Sequence, residues 1–232
     1  MAPYTIPEVS LSSPSHKMPV LGLGTAHYPL VGSEAVRKAV LEAIELGYRH
    51  FDTAFLYQTE QPLGEAIAEA VRLGLIKSRD ELLITSKLWC SHNHADLVLS
   101  ALQRTLQAVG AAGCEVLKEI AEAKGKSVAQ VILHHTLLPL IIPVREPWKA
   151  YQVLVQVCLR WAYEQGVGAI LVKSFRKDRM KENLEIFEWG LSHEESRTIG
   201  GAIPQSRGNR GEFFVSADGP IKSVEELWDG EL

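Results

Sequence analysis

Short apolar runs alternate with amphipathic stretches along the first half of the chain. The runs are short enough to predict buried strands, and they cover residues 20–25, 50–54 and 82–88. Between them, apolar residues recur at i, i+3 and i+4, a spacing that predicts helices. These predicted helices cover 34–46 and about 63–71, and a third begins near Asn93. Repeated strand–helix units with short turns predict a parallel sheet covered by helices, with functional side chains in the turns after the strands.

Each predicted helix has one apolar stripe that would face the sheet. In chain order the stripes are Val36, Ala39, Val40, Ala43 and Ile44; Leu63, Ala66, Ile67, Ala70 and Val71; and Val98, Ala101, Leu102 and Leu106. Ser33 is expected to cap the first helix, whereas Gly47 and Gly74 are expected to end the first and second.

The second half has a less regular pattern. A helix is predicted over 115–124, and a capping box at 127–130 opens another whose continuation appears only at 158–166. Gln-Val occurs at both edges of the interruption, so we interpret 132–157 as an insertion into one helix. A strand over 169–174 and a helix through 182–184 follow, and the tail from Pro204 has the composition of a surface loop.

Composition narrows the classes of protein. The 232 residues are 46% hydrophobic and 22% charged, as in globular proteins, and the net charge of −4 gives no basic surface for nucleic acid or an anionic membrane. The three cysteines are far apart, which favours a reducing compartment. The amino terminus has no signal-peptide pattern, and the most apolar stretch, 131–144, is broken by two histidines and two prolines. A cytoplasmic protein without a membrane span is therefore expected.

Three segments carry a more specific signal. The segment 47–54, with Tyr57 just beyond it, resembles the signature of the aldo-keto reductases. The segments 84–89 and 172–183 resemble the second and third motifs of that family. The flanking text is similar to the family's plant branch, which contains codeinone reductase and chalcone-reductase-like enzymes. The resemblance covers about 5–107 and 114–232, apart from the insertion.

The resemblance implies a (β/α)8 TIM barrel that reduces aldehydes and ketones with NADPH, here in plant specialised metabolism. It implies that Tyr57 is the general acid that protonates the carbonyl oxygen. Free tyrosine titrates near ~10, and an adjacent ammonium stabilises its phenolate. Lys87 would supply that ammonium, and Asp52 would orient the lysine.

The resemblance also implies the binding residues. Gly24 and Thr25 would lie near the nicotinamide ribose, and Trp89 would line the substrate mouth. The residues implied to bind the adenosine end are Lys173, Ser174, Phe175, Arg179, Glu182 and Asn183. Lys173 and Arg179 suit a 2′-phosphate, which favours NADPH over NADH.

The chain departs from the family pattern after about residue 107. The strand that ends in the family's catalytic histidine and several central βα units have no counterpart, and 108–113 leads directly into the late helix. A complete barrel needs about 250 residues, so we expect one incomplete, barrel-derived domain over 1–232. His134 and His135 lie in the wrong order to take the histidine's role. An incomplete barrel exposes strand edges, which predicts self-association.

Alternatives remain for several residues. Taken singly, Asp52, Tyr57 and Lys87 could be ordinary loop residues. Cys90, His92 and His94 could hold zinc but lack a fourth ligand, so we expect no metal site. The glycines at 22 and 24 have no third glycine at the spacing of a dinucleotide loop. The leading hypothesis is an NADPH-dependent carbonyl reductase acting on a small molecule. The alternative is an inactive shortened isoform that binds cofactor weakly or associates with full-length relatives.

Overall fold

A computed structural model describes residues 4–10, 17–27, 31–89, 92, 97–110, 148–202, 215 and 222–223. The strands are β1 (Glu8–Ser10), β2 (Lys17–Pro19), β3 (Leu21–Gly24), β4 (His50–Asp52), β5 (Leu83–Thr85) and β6 (Ile170–Val172). The α-helices are α1 (Ser33–Leu46), α2 (Glu60–Arg72), α3 (Val98–Ala108), α4 (Trp148–Glu164), α5 (Lys177–Leu184) and α6 (His193–Ala202). Short 3₁₀ helices cover Phe55–Tyr57, Arg79–Glu81 and Glu185–Phe187.

Four strands form a parallel sheet in the order β5-β4-β3-β6, and β1 and β2 form a separate antiparallel pair. The register pairs Gly24 with Asp52 and Asp52 with Thr85, so the carboxyl ends of three strands lie side by side. The first sheet strand, β3, also pairs with β6, the last strand of the described chain. Pairing of the first strand with the last is what closure of a (β/α)8 barrel requires.

Gly22 lies in β3 where no side chain fits. A Cβ there would lie 2.8 Å from Leu171 Cδ2 and 2.9 Å from the His50 ring, both on the neighbouring strands. This glycine therefore serves close packing between strands, which agrees with the absence of a dinucleotide-loop pattern around it. Helices α1 and α2 pack on the sheet with the predicted stripe of α1 buried.

Most predicted elements are confirmed, with corrections at their ends. Gly47 ends α1 in the left-handed conformation, with φ of 105°. The prediction that Ser33 caps α1 is wrong, because the helix begins at Ser33 and Gly32 is the capping position without a side-chain bond. Val71 was expected on the buried stripe of α2 but is 38% exposed in the last turn of that helix.

The strands are shorter than the apolar runs. The run 82–88 gives a strand only over Leu83–Thr85, because Ser86 and Lys87 turn toward side chains on neighbouring segments. Helix α4 continues through residues 157 and 158, so the predicted insertion has helical structure over its last ten residues. The predicted helix at 115–124, the capping box and most of the tail lie outside the described residues.

Contacts divide the chain into two compact units. One comprises residues 1–139 and 148–190 and contains the parallel sheet, and the other comprises 140–147 and 191–232 and contains α6. Among the described residues, no helix combines the length and apolarity needed to cross a membrane.

Candidate active site

Asp52 and Lys87 form a close ion pair at the carboxyl edge of the sheet. Lys87 Nζ donates to the two carboxylate oxygens at 2.6 and 2.7 Å and to the Thr53 carbonyl oxygen at 3.1 Å. The pair forms because Asp52 ends β4 opposite Thr85, and Lys87 follows two residues later. Burial raises the pKa of Asp52, and the lysine opposes that increase without cancelling it.

Tyr57 lies at the end of the 3₁₀ helix that follows β4. Lys87 Nζ is 4.9 Å from the centre of its ring, within range of a cation–π contact. The tyrosine is partly exposed, whereas Asp52 is only 5% exposed. The structure therefore brings together the three residues proposed for catalysis, with the ammonium between a buried carboxylate and an accessible phenol.

Three buried threonines support the end of β4. Thr25 donates its backbone N–H and its hydroxyl to the Asp52 carbonyl oxygen at 2.9 and 3.1 Å. The Thr59 hydroxyl lies 2.6 Å from that of Thr25 and 2.9 Å from that of Thr53. The structure thus places the Thr25 hydroxyl in an internal network, and its predicted position near the nicotinamide ribose remains a prediction. Gly24, which precedes it, is buried at the end of β3.

Glu60 is a buried carboxylate that the sequence reasoning missed. It is 7% exposed, and its Oε1 accepts hydrogen bonds from Ser86 Oγ at 2.7 Å and Thr105 Oγ1 at 2.8 Å. The signal was available in the sequence: Glu60 precedes Leu63 and Gly64 by three and four residues, which places it on the apolar face of α2.

The residues implied for the adenosine end gather where β6 leads into α5. Lys173 Nζ lies 5.3 Å from the Phe175 ring centre, and the centre of the His27 ring lies 5.4 Å from it with the two rings tilted by 37°. Burial and the charge of Arg179 lower the pKa of Lys173. Ser174 Oγ accepts from the backbone N–H of Arg176 at 3.2 Å, which shapes the turn into the helix.

Helix α5 is anchored to the segment that precedes β4. Tyr48 lies two residues before β4, and its hydroxyl donates to the Met180 carbonyl oxygen at 2.9 Å. Asn183 is buried beside Tyr48, and Glu182 is partly buried. A cavity of about 350 Å³ opens between α1 and this turn, lined by Ala35, Lys38, Glu42, Phe175, Arg176, Lys177 and Asp178.

The remaining predictions lie around α3. Trp89 is half-buried, and its carbonyl oxygen accepts from the His92 backbone N–H. His92 Nε2 lies 3.3 Å from Arg104 Nη2, so this nitrogen faces a cation. Within the described ranges, no group of histidine, cysteine or carboxylate side chains is arranged to hold a metal. Cys90, His94, His134 and His135 lie outside them.

Comparisons with known proteins agree with the motifs. The family model described as Aldo/keto reductase family matches residues 20–113. A 7-acetyl-epi-neemfruitin B aldo-keto reductase of Melia azedarach is 36% identical, with 98% of both chains covered. An NADPH-dependent codeinone reductase of Papaver somniferum is 37% identical, with 97% of this chain and 98% of the relative covered.

A solved structure has the same fold. The crystal structure of a Bombyx mori aldo-keto reductase in complex with NADP superposes with a TM-score of 0.68 at 22% identity, covering 93% of this chain and 98% of that one. The superposition supports an α/β fold derived from the barrel.

Proposed function

The chain belongs to the aldo/keto reductase family, and on that premise we propose that it reduces an aldehyde or ketone with NADPH. The observation that carries the proposal is the Asp52–Lys87 ion pair set against the Tyr57 ring. Plant relatives named for reductase activity on 7-acetyl-epi-neemfruitin B and on codeinone support a carbonyl substrate of plant specialised metabolism.

Tyr57 donates a proton to the carbonyl oxygen. It is the accessible member of the cluster, and transfer of its proton leaves a phenolate that Lys87 stabilises through its charge. Asp52 holds the ammonium by accepting two hydrogen bonds, and the Thr53 carbonyl oxygen accepts a third. The nicotinamide cofactor, when bound, supplies the hydride that attacks the carbonyl carbon.

The chemistry around β6 and α5 fits a phosphate-bearing cofactor. Lys173 and Arg179 lie close enough for the arginine to depress the pKa of the lysine. Positive charge gathered at one place favours binding of a phosphate anion there. A 2′-phosphate is such an anion, and Arg179 and Lys173 would hold it, while Phe175 offers a ring face beside them.

We also propose that the chain carries an internal deletion relative to its plant relatives. The alignments to the plant relatives run over 316 to 319 positions and cover both partners almost end to end, although the chain has 232 residues. These lengths support an internal deletion, and the departure from the family motifs is what predicts its position after about residue 107. We further propose a cytoplasmic location and self-association through β5 and β6, the edge strands of the described sheet. The inactive-isoform alternative finds no support in the comparisons.

Turnover of a generic aldehyde with NADPH tests the function. Tyr57→Phe removes the transferable proton while keeping the ring under Lys87, so we expect kcat to fall about 100-fold or more. Tyr163→Phe makes the same chemical change on α4, where Tyr163 packs against Phe187, and should leave kcat unchanged. Oxidation of NADPH is followed spectrophotometrically, with cofactor binding measured separately.

Three outcomes are informative. Loss in Tyr57→Phe alone supports the assignment. Equal turnover in the chain and Tyr57→Phe would remove Tyr57 from the mechanism. A folded chain that binds NADPH without turnover would favour the inactive alternative.

A further inference from the structure

Glu60 joins the two segments that carry Tyr57 and Lys87. It is the first residue of α2, three residues after Tyr57, and the Ser86 hydroxyl that it binds immediately precedes Lys87. Its second donor, Thr105, comes from α3. One buried carboxylate oxygen therefore ties together the start of α2, the end of β5 and the middle of α3.

We propose that Glu60 is a positioning residue that holds Lys87 over the Tyr57 ring by clamping Ser86. The assignment rests on the proposed function for the roles of Tyr57 and Lys87, and on the hydrogen-bond geometry for the clamp. Lys87 leaves the strand ladder after Thr85, so no strand pairing fixes its backbone. The Ser86–Glu60 bond at 2.7 Å is the contact that fixes the residue next to it.

The site of Glu60 suits a carboxylate that must stay in place. It lies in the first turn of α2, where the helix dipole stabilises negative charge. The neighbouring residue, Thr59, belongs to the threonine network beneath Asp52. Residues 59 and 60 therefore reach both members of the ion pair: Thr59 supports the Asp52 end and Glu60 supports the Lys87 end.

Misplacement of a catalytic group by about 1 Å can cost about 100-fold in rate. Losing the clamp should move Lys87 away from the Tyr57 ring and weaken the stabilisation of the phenolate. The expected signature is a shift of the Tyr57 titration toward higher pH, together with a lower kcat at neutral pH and little change in KM.

Two substitutions separate positioning from charge. Glu60→Gln keeps an acceptor oxygen for Ser86, whereas Glu60→Ala removes it, and both remove the same negative charge. A purely electrostatic role would move both titrations in the same direction, to lower pH, because a nearby anion disfavours the phenolate. Positioning predicts that only Glu60→Ala moves to higher pH. Ser86→Ala should reproduce the alanine variant, and the two changes should not be additive.

The titration is measured in the chain without cofactor, as the ultraviolet difference spectrum against Tyr57→Phe. Glu65→Ala, on the exposed side of α2 beside Arg37, is the matched control and should change nothing. We expect Glu60→Ala to move the titration to higher pH and to reduce kcat about 10-fold. Circular dichroism melts identify any unfolded variant. If Glu60→Ala is unfolded, the titration and kcat of Ser86→Ala test the proposal in its place.

The two proposals fail separately. If the chain does not reduce carbonyl compounds but Glu60→Ala still shows the titration shift, the proposed function is wrong and the clamp is supported. Carbonyl reduction with an unshifted titration in Glu60→Ala and Ser86→Ala would overturn the clamp. Equal shifts in Glu60→Gln and Glu60→Ala would overturn it in favour of a charge effect.

Discussion

His50 is a buried histidine whose burial favours the neutral form. Its Nδ1 lies 3.3 Å from the Pro19 carbonyl oxygen, which can only accept, so Nδ1 carries the proton. In the neutral ring, Nε2, which lies 2.9 Å from Thr85 Oγ1, can accept from that hydroxyl. Burial lowers the pKa of His50, and the charge of Lys87 lowers it further. The neutral ring therefore belongs to the folded state.

The stability of the chain should depend on His50 at mildly acidic pH. Below about 6.5 the unfolded histidine binds a proton that the folded one rejects, so the free energy of unfolding falls as pH falls. We expect a contribution of about 1 kcal/mol between pH ~7.5 and ~5.5. Denaturant titrations at both pH values should show a flatter dependence for His50→Gln.

Asp52 acts with the opposite sign, because burial raises its pKa and the folded state then binds the extra proton. Asp52 is present in both the chain and His50→Gln, so its contribution cancels when their free energies of unfolding are subtracted. His193→Gln changes an exposed histidine of α6 and should leave the pH dependence as it is. Parallel curves for the chain and His50→Gln would contradict the prediction.

Helices α2 and α3 meet at Gly64, where two backbones touch. An added Cβ would lie 2.1 Å from the Ala108 carbonyl oxygen and 3.1 Å from Val109 Cα, and neither backbone atom can rotate away. Because α3 also carries Thr105, this contact sets the distance over which Glu60 can accept its second hydrogen bond. Packing between the helices thus reaches the candidate active site.

Gly64→Ala should destabilise the chain despite the better helix propensity of alanine. Overpacking against backbone should cost about 3 kcal/mol, lowering the melting temperature. Gly201→Ala in α6 is the matched control, since no atom of the described residues lies within 4 Å of the added Cβ, and propensity there should give a small gain. Equal melting temperatures for the two variants would show that α3 can move away without cost.

Helix stripes were predictable because a period of 3.6 residues depends on one buried face. The predicted stripe of α1 is buried as expected: Val36, Ala39, Val40, Ala43 and Ile44. The ends of the strands were not predictable, because a strand ends where its hydrogen bonds to the neighbouring strand end. The family motifs pointed to three site residues that the structure brings together: Asp52, Tyr57 and Lys87. Glu60 and the threonines depend on contacts between residues far apart in the chain, which a single sequence does not display.

At the scale of the molecule, the pairing of β3 with β6 brings together residues separated by most of the chain. This pairing places Lys173 beside the same sheet edge as Asp52 and Lys87, so the two halves of the site depend on one long-range contact. A ligand that binds Lys173 and Arg179 should therefore stabilise the fold that contains the ion pair.

NADPH should raise the melting temperature, because a ligand that binds only the folded state stabilises it by about 2.7 kcal/mol at a hundredfold excess over its dissociation constant. If the cations recognise a 2′-phosphate, NADH should give a smaller shift. Arg179→Ala should reduce the melting-temperature shift caused by NADPH, so that it becomes similar to the shift caused by NADH. Arg197→Ala removes an exposed arginine of α6 and should preserve the difference. A cooperative transition that neither cofactor moves would reject the cofactor site, because the cations would then stabilise no bound phosphate in the folded chain.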